Sequence, residues 1–229
     1  MKTVPMTYYA PQSGVGLAMA AAPAMFGPAA RIGFVGLGAG TLACYRQPGQ
    51  TWTAFEIDPV IENIARKDFS YISRCAPDMK IAIGDARLTL ANQPRGAFNL
   101  LAVDAFSSDA IPLHLVTREA FAVYGRTLAD DGVLLIHISN RFLNLEPVIA
   151  AIAKDGGWQA RARTYSPVGA QPRGQMFAQS TWIVLSRSTA RLDQLPGQWR
   201  AVETDAALPV WRDDFASVLP VLRFRRDTH

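Results

Sequence analysis

Five short apolar runs succeed one another between residues 31 and 138, and the first four close on a glycine or an acidic residue. Arg31 to Leu37 (RIGFVGL) breaks at Gly36, Gly38 and Gly40, ahead of a helix-compatible stretch from Thr41 to Tyr45. Thr51 to Asp58 (TWTAFEID) is β-branched and aromatic, and it ends at Asp58-Pro59, an N-cap followed by proline in the first helical position. Val60, Ile61, Ile64 and Ala65 then recur at helical spacing. Met79 to Gly84 (MKIAIG), Asn99 to Asp104 (NLLAVD) and Val133 to Ile138 (VLLIHI) are the next three strands. Between the last two, Thr117 caps a helix with Phe121, Tyr124 and Leu128 on one face. A helix over Leu145 to Lys154 stops at Gly156-Gly157, Tyr165 to Gln179 reads as a mobile loop, and Thr181 to Leu185 is a late strand.

Near-continuous apolar strands separated by helices require a sheet covered on both faces, so the pattern predicts a doubly wound, mostly parallel α/β architecture. In such sheets ligands sit outside the carboxyl ends of the strands. The chain is expected to form one domain over 1–229, with an arm over 1–30, a core over 31–190 and a C-terminal extension over 191–229.

Hydrophobic residues make up 49% of the 229 and charged residues 18%, which excludes the disordered class. Cys44 and Cys75 show no C-x-x-C spacing, so they read as small buried apolar residues, and no metal site is expected. The formal charge of +4 is scattered, and Arg223, Arg225 and Arg226 read as a solvated tail, which argues against a nucleic-acid partner. The uncharged stretch from Val4 to Ala30 is broken by Tyr8, Tyr9, Pro11, Gln12, Ser13, Pro23 and Pro28. It offers neither a compact signal-peptide core nor a run of about 20 apolar residues, so no transmembrane segment and a cytoplasmic location are expected.

Four strand ends carry candidate chemistry. Gly36, Gly38 and Gly40 let the backbone approach a ligand, although a tight packing turn would look the same. Thr41 stands where a dinucleotide fingerprint wants glycine or alanine. Glu56 ends the second strand, where a carboxylate accepts ribose hydroxyls. Asp85, with Ala86 behind it, either accepts from an adenine amino group or caps the next helix. Asp104 and Asp109 share the segment after the fourth strand, an arrangement suited to taking a proton from an attacking amine. His137 is either a hydrogen-bonded core histidine or a pocket residue, with Asn140 and Arg141 at the same end, and His114 has no partner visible in sequence.

The ordered set VGLGAGTLA (Val35 to Ala43), FEIDPVI (Phe55 to Ile61), GDARLTLA (Gly84 to Ala91), DAFSSDAIPLHLVTREA (Asp104 to Ala120) and HISNR (His137 to Arg141), with Tyr8-Tyr9 before it and Trp211-Arg212-Asp213-Asp214 after it, resembles the spermidine synthase family, the polyamine aminopropyltransferases, in its bacterial spermidine-synthase-like branch. The resemblance implies a class I S-adenosylmethionine-dependent methyltransferase-like, Rossmann-like sheet that binds S-adenosylmethionine or its decarboxylated form as co-substrate. It places Glu56 on ribose, Asp85 and Ala86 at adenine, Asp104 as the proton-accepting aspartate and Asp109 on the amine. Asp109 follows Asp104 by five residues where the family spaces its second acid by three. Tyr8, Tyr9 and Gln12 resemble a segment that folds over the site, an exposed arm being the other reading, and Asp213 and Asp214 either line an amine pocket or are simply solvated. The family's glycine loop holds an aspartate where this chain has Ala39. That aspartate would hold the amino group of decarboxylated S-adenosylmethionine, so Ala39 leaves room for the intact compound and for methyl transfer. The implied partner is a small amine or polyamine, a homodimer is the implied assembly, and a nucleoside-binding module without turnover is the alternative from another class.

Overall fold

The expected strands form, and two unexpected elements complete the sheet. The computed structural model describes residues 3–104, 112–171 and 174–223. In chain order it runs α1 (Gly14–Phe26), β1 (Arg31–Val35), a 3-10 turn (Thr41–Tyr45), β2 (Thr51–Glu56), α2 (Pro59–Lys67), α3 (Tyr71–Cys75), β3 (Lys80–Ile83), α4 (Ala86–Ala91) and β4 (Phe98–Val103). It continues with α5 (Arg118–Thr127), β5 (Leu128–His137), α6 (Glu146–Asp155), β6 (Gln159–Tyr165), β7 (Ser180–Ser186), α7 (Thr189–Asp193) and β8 (Arg200–Ala201).

The sheet order is β3-β2-β1-β4-β5-β7-β6-β8. The first five strands are parallel, and β7, β6 and β8 add antiparallel pairings. Central strands bury both faces, and successive residues alternate between two layers. Phe98, Leu101 and Val103 of β4 join Leu134 and Ile136 of β5 under α5 and α6, where Phe121, Tyr124, Val148 and Ile152 pack. Leu100, Ala102, Val133 and Leu135 face the opposite layer, where Val15 and Met19 of α1, Ala65 of α2 and Ile72 of α3 pack. Such two-sided burial is why these strands read as unbroken apolar runs. The outcome is the class I methyltransferase-like, Rossmann-like fold.

Three expectations need correction. Residues 1–30 are not merely an arm: α1 is capped by Ser13, whose hydroxyl accepts from the Gly16 N–H at 3.1 Å, and it buries Val15, Ala18, Met19 and Ala22 against the sheet. Pro23 lies in the last turn, where its carbonyl accepts from the N–H of Gly27, which closes the helix at φ +81°. Cys44 and Cys75 are not free apolar residues but a disulfide, joining the 3-10 turn to the end of α3 with Cα atoms 4.8 Å apart. Tyr165 to Gln179 is not wholly loop, since Tyr165 ends β6 and Thr7 bridges Phe177 within it. Among the described residues no helix is long and apolar enough to cross a membrane.

Candidate functional site

The carboxyl ends of the parallel strands open onto a cavity of about 410 Å³. Beyond β1 the chain turns through Gly36 at φ +91°, Gly38 at φ +50° and Gly40 at φ +78°. Gly36 and Gly38 line the cavity. Gly40 does not; its role is local, because an added Cβ would stand 2.7 Å from Ile72 Cγ1 in a backbone conformation that side chains disfavour.

Glu56, buried at the end of β2, holds this turn in place. Its Oε2 accepts from the Leu37 N–H at 2.9 Å and its Oε1 from the Asp58 N–H at 3.1 Å. Each oxygen keeps a further lone pair, so the same carboxylate can accept two hydroxyls of a diol in the cavity. Asp85 acts as the helix cap, its Oδ1 accepting from the Leu88 N–H at 3.0 Å, and the residue also lines the cavity beside Ala86. Its Oδ2 lies 3.1 Å from His114 Nε2.

Asp104 stands just past β4, positioned by its own N–H donating to Val35 O at 2.9 Å. It is 7% exposed. The Tyr9 hydroxyl donates to Oδ2, and His137 Nδ1 lies 2.7 Å from Oδ1. Burial, and then the neighbouring Asp104 charge, hold the Tyr9 phenol protonated well above its ordinary range; the Tyr8 phenol is raised by the same two causes in the same order. Tyr45 supports this corner, its hydroxyl donating to Tyr9 O at 2.6 Å.

The N-terminal segment is therefore packed along this corner of the cavity. Thr7, at φ +57°, donates its N–H to Met176 O and accepts from the Ala178 N–H at 3.0 Å. Tyr8 and Tyr9 line the cavity, whereas Gln12 is exposed outside it and offers only its carbonyl, to Arg163.

Asp213 and Asp214 do not line the cavity. Asp213 instead accepts from Arg87 at 2.7 Å and from the Thr117 hydroxyl at 2.8 Å, and the Arg87 hydrogen bonds hold its carboxyl below the usual range. A carboxylate so paired anchors the C-terminal segment to α4 and α5. Asp109 lies outside the described residues, as do Arg225 and Arg226.

Residues not singled out for the site complete the wall: Ile57, Asp58 and Ile61 at the start of α2, and His114 and Leu115 after the fourth strand. Asp58 announced itself only as a helix cap. His114 gains from Asp85 a partner that lies 29 positions away and so leaves no local signature. Glu56, Asp58, Asp85 and Asp104 put four carboxylates around the cavity, and no Lys or Arg is found among the described residues lining it. On a chain of net charge +4 this is a local field for cationic ligands. Among the described residues no group of three or more His, Cys, Asp or Glu is placed to hold a metal ion.

No protein-family model matches the chain. A polyamine aminopropyltransferase of Vibrio vulnificus is 31% identical over 110 residues, 46% of this chain and 36% of that protein, so the match spans about a third of its curated relative. A probable spermidine synthase from Corynebacterium glutamicum superposes with a TM-score of 0.57 at 21% identity, over 81% of this chain and 74% of the other. Human Methyltransferase-like protein 13, in complex with SAH, superposes at 0.55 and 20% identity, over 77% and 86%. At these identities the two structures establish the shared fold.

Proposed function

We propose that this protein is a spermidine-synthase-like transferase that moves an aminopropyl-type group from S-adenosylmethionine, or from its decarboxylated form, to an amine. The observation that carries this reading is the acidic cavity itself: four carboxylates, one of them the buried Asp104, with no described basic side chain among its walls. A sulfonium nucleoside and an amine are both cations, and both are drawn to such a field.

The residues fit the co-substrate. Glu56 accepts the ribose hydroxyls, Gly36 and Gly38 let the backbone pass close to the nucleoside, and Asp85 with Ala86 borders the adenine. Ile57 and Ile61 supply an apolar wall for the base. Asp104 accepts the proton of the attacking nitrogen. The N–C bond forms as the C–S bond breaks, the pair of electrons stays on sulfur as a neutral thioether, and the nitrogen's proton passes to the carboxylate. Holding both reactants in line supplies most of the acceleration, and general-base help adds typically 10²- to 10⁴-fold. Asp109 would give the amine its second contact. The resemblance of the sequence to the Vibrio vulnificus aminopropyltransferase and of the fold to spermidine synthase supports this choice among amine alkylations.

A second reading, methyl transfer from intact S-adenosylmethionine, is favoured by Ala39, which puts no acid in the glycine turn. Mass spectrometry of the protein incubated with each donor and a pool of di- and polyamines separates them. Methylthioadenosine with a mass-shifted amine supports the first reading, and S-adenosylhomocysteine supports the second. Saturable nucleoside binding with neither product would refute both.

A further inference from the structure

His137 is a buried titratable side chain for which the reaction as written has no use, and its surroundings are unusually complete. The residue ends β5 and is 4% exposed. Its imidazole lies between two aromatic rings, Tyr8 at 5.0 Å and 22° and Trp182 at 4.6 Å and 16°. Nδ1 lies 2.7 Å from Asp104 Oδ1, and Nε2 lies 2.8 Å from Ser139 Oγ. Ser139 Oγ also accepts from the Thr181 N–H at 2.8 Å, which fixes the hydroxyl and leaves its hydrogen for Nε2. A neutral imidazole that receives a proton at Nε2 carries its own on Nδ1, facing the carboxylate.

We propose that His137 is the positioning residue of the Asp104 base: sandwiched between Tyr8 and Trp182, it donates Nδ1–H to Oδ1 and so fixes the carboxylate in one rotamer. This inference rests on the role given to Asp104 above. With Tyr9 on Oδ2, each carboxylate oxygen retains a lone pair for the cavity, which Asp104 lines. A carboxylate removed from water needs hydrogen bonds in place of its hydration, and these two donors meet that need.

The Asp104–His137–Ser139 chain has the same order of bonds as a hydrolase triad, yet it works from the opposite end. In a triad the serine is the group presented to substrate. Here Ser139 accepts from the Thr181 backbone, and of the three residues only Asp104 is among the described residues lining the cavity. The operative end is the carboxylate, and the serine serves to set the tautomer.

The test compares two variants of the full chain. His137→Phe keeps a flat ring between Tyr8 and Trp182 and removes both nitrogens; His137→Asn restores an amide donor close to the position of Nδ1. His137→Phe should lower kcat roughly 10²-fold, the order of loss that follows from misplacing a catalytic group, with nucleoside Kd unchanged in protein that remains folded. His137→Asn should recover about tenfold of that loss, the worth of one hydrogen bond. Wild-type kcat in His137→Phe, or no rescue by a folded His137→Asn, would overturn the proposal. A second measurement holds whatever the enzyme's turnover. In protein carrying ¹⁵N-histidine, of which the chain has only three, one Nδ1–H should resonate far downfield and move upfield in Asp104→Asn. Absence of that proton in the wild type overturns the anchor itself. Absence of any transfer product with the proton present refutes the transferase reading while leaving the His137–Asp104 anchor standing.

Discussion

Breaking the Cys44–Cys75 bridge tests how the nucleoside half of the molecule is held together. The cross-link spans a sequence separation of 31 and joins the turn just behind the glycine loop to α3. Closing a loop of that size removes about 12 cal/mol/K of entropy from the unfolded chain, or ~3.7 kcal/mol at 25 °C. In a protein of this size each kcal/mol moves Tm by roughly 2–4 °C, so Cys44→Ala/Cys75→Ala should melt roughly 7–15 °C below the oxidised protein. Scanning calorimetry of the oxidised protein, the same protein under reductant and the double variant provides the assay, and the last two should coincide. Nucleoside binding should weaken in parallel, because Ile72 of the cross-linked α3 packs on Gly40 of the turn. Coincident melting of all three samples would refute the entropy calculation, and two titratable thiols in the untreated protein would refute the pairing. The measurement also bears on compartment, since such bonds persist in oxidising surroundings and are rare where glutathione keeps thiols reduced.

Four further outcomes are expected. Asp104→Asn should lower turnover by about 10²- to 10⁴-fold with little change in nucleoside Kd, read by single-turnover kinetics and calorimetry; equal activity would remove the base assignment. Glu56→Ala should weaken nucleoside binding by roughly tenfold or more, since it takes away the diol acceptor and also frees the Leu37 and Asp58 N–H groups it holds. Gly16→Ala should cost roughly 1–3 kcal/mol in chemical denaturation, because its Cβ would meet Ala10 O at 2.2 Å and Tyr45 Oη at 2.6 Å and so lift the segment carrying Tyr9. In alkali, Tyr9, Tyr45 and Tyr124 have folded-state values raised first by burial, so the stability they contribute is complete below the ordinary phenol value of about 10 and is lost as pH climbs above it. Their phenolate absorbance should therefore rise together with loss of circular dichroism; ionisation of all six tyrosines in still-folded protein would contradict this.

The parts of the fold legible in sequence were those whose environment is uniform. β1, β4 and the second half of β5, from Val133 to His137, are buried on both faces and show it as apolar runs, and Asp58 and Thr117 are helix caps whose partners lie two and three residues away. β6 escaped notice because QARARTY puts arginines at alternate positions and only Ala162 is fully buried. α1 has no polar face to give it a period, since one side packs on the sheet and the other is also alanine-rich. Within the site, the same distinction holds. Gly36, Gly38, Glu56, Asp85 and Asp104 sit at strand ends, where topology alone points to a ligand. The hydrogen bonds from Tyr9 and His137 to Asp104 span 95 and 33 positions, and the disulfide partners are joined only because α3 folds back on the glycine turn.

Where Tyr9 ends up constrains the order of assembly during synthesis. The glycine turn, Glu56, Asp85 and Asp104 emerge from the ribosome in sequence and can assemble as β1 to β4 pair. Yet α1, which precedes all of them, packs on β7 as well as on β4 and β6, and Thr7 waits for Met176 and Ala178. A nascent chain thus carries this helix, apolar along its whole length, without its β7 partner until all of the intervening strands have been made. Fragments that stop before Met176 would retain β1 to β5 but leave the β7 side of that helix bare to chaperones and to one another, and Asp104 would lose the Thr7 pairing that holds its tyrosine cover in place.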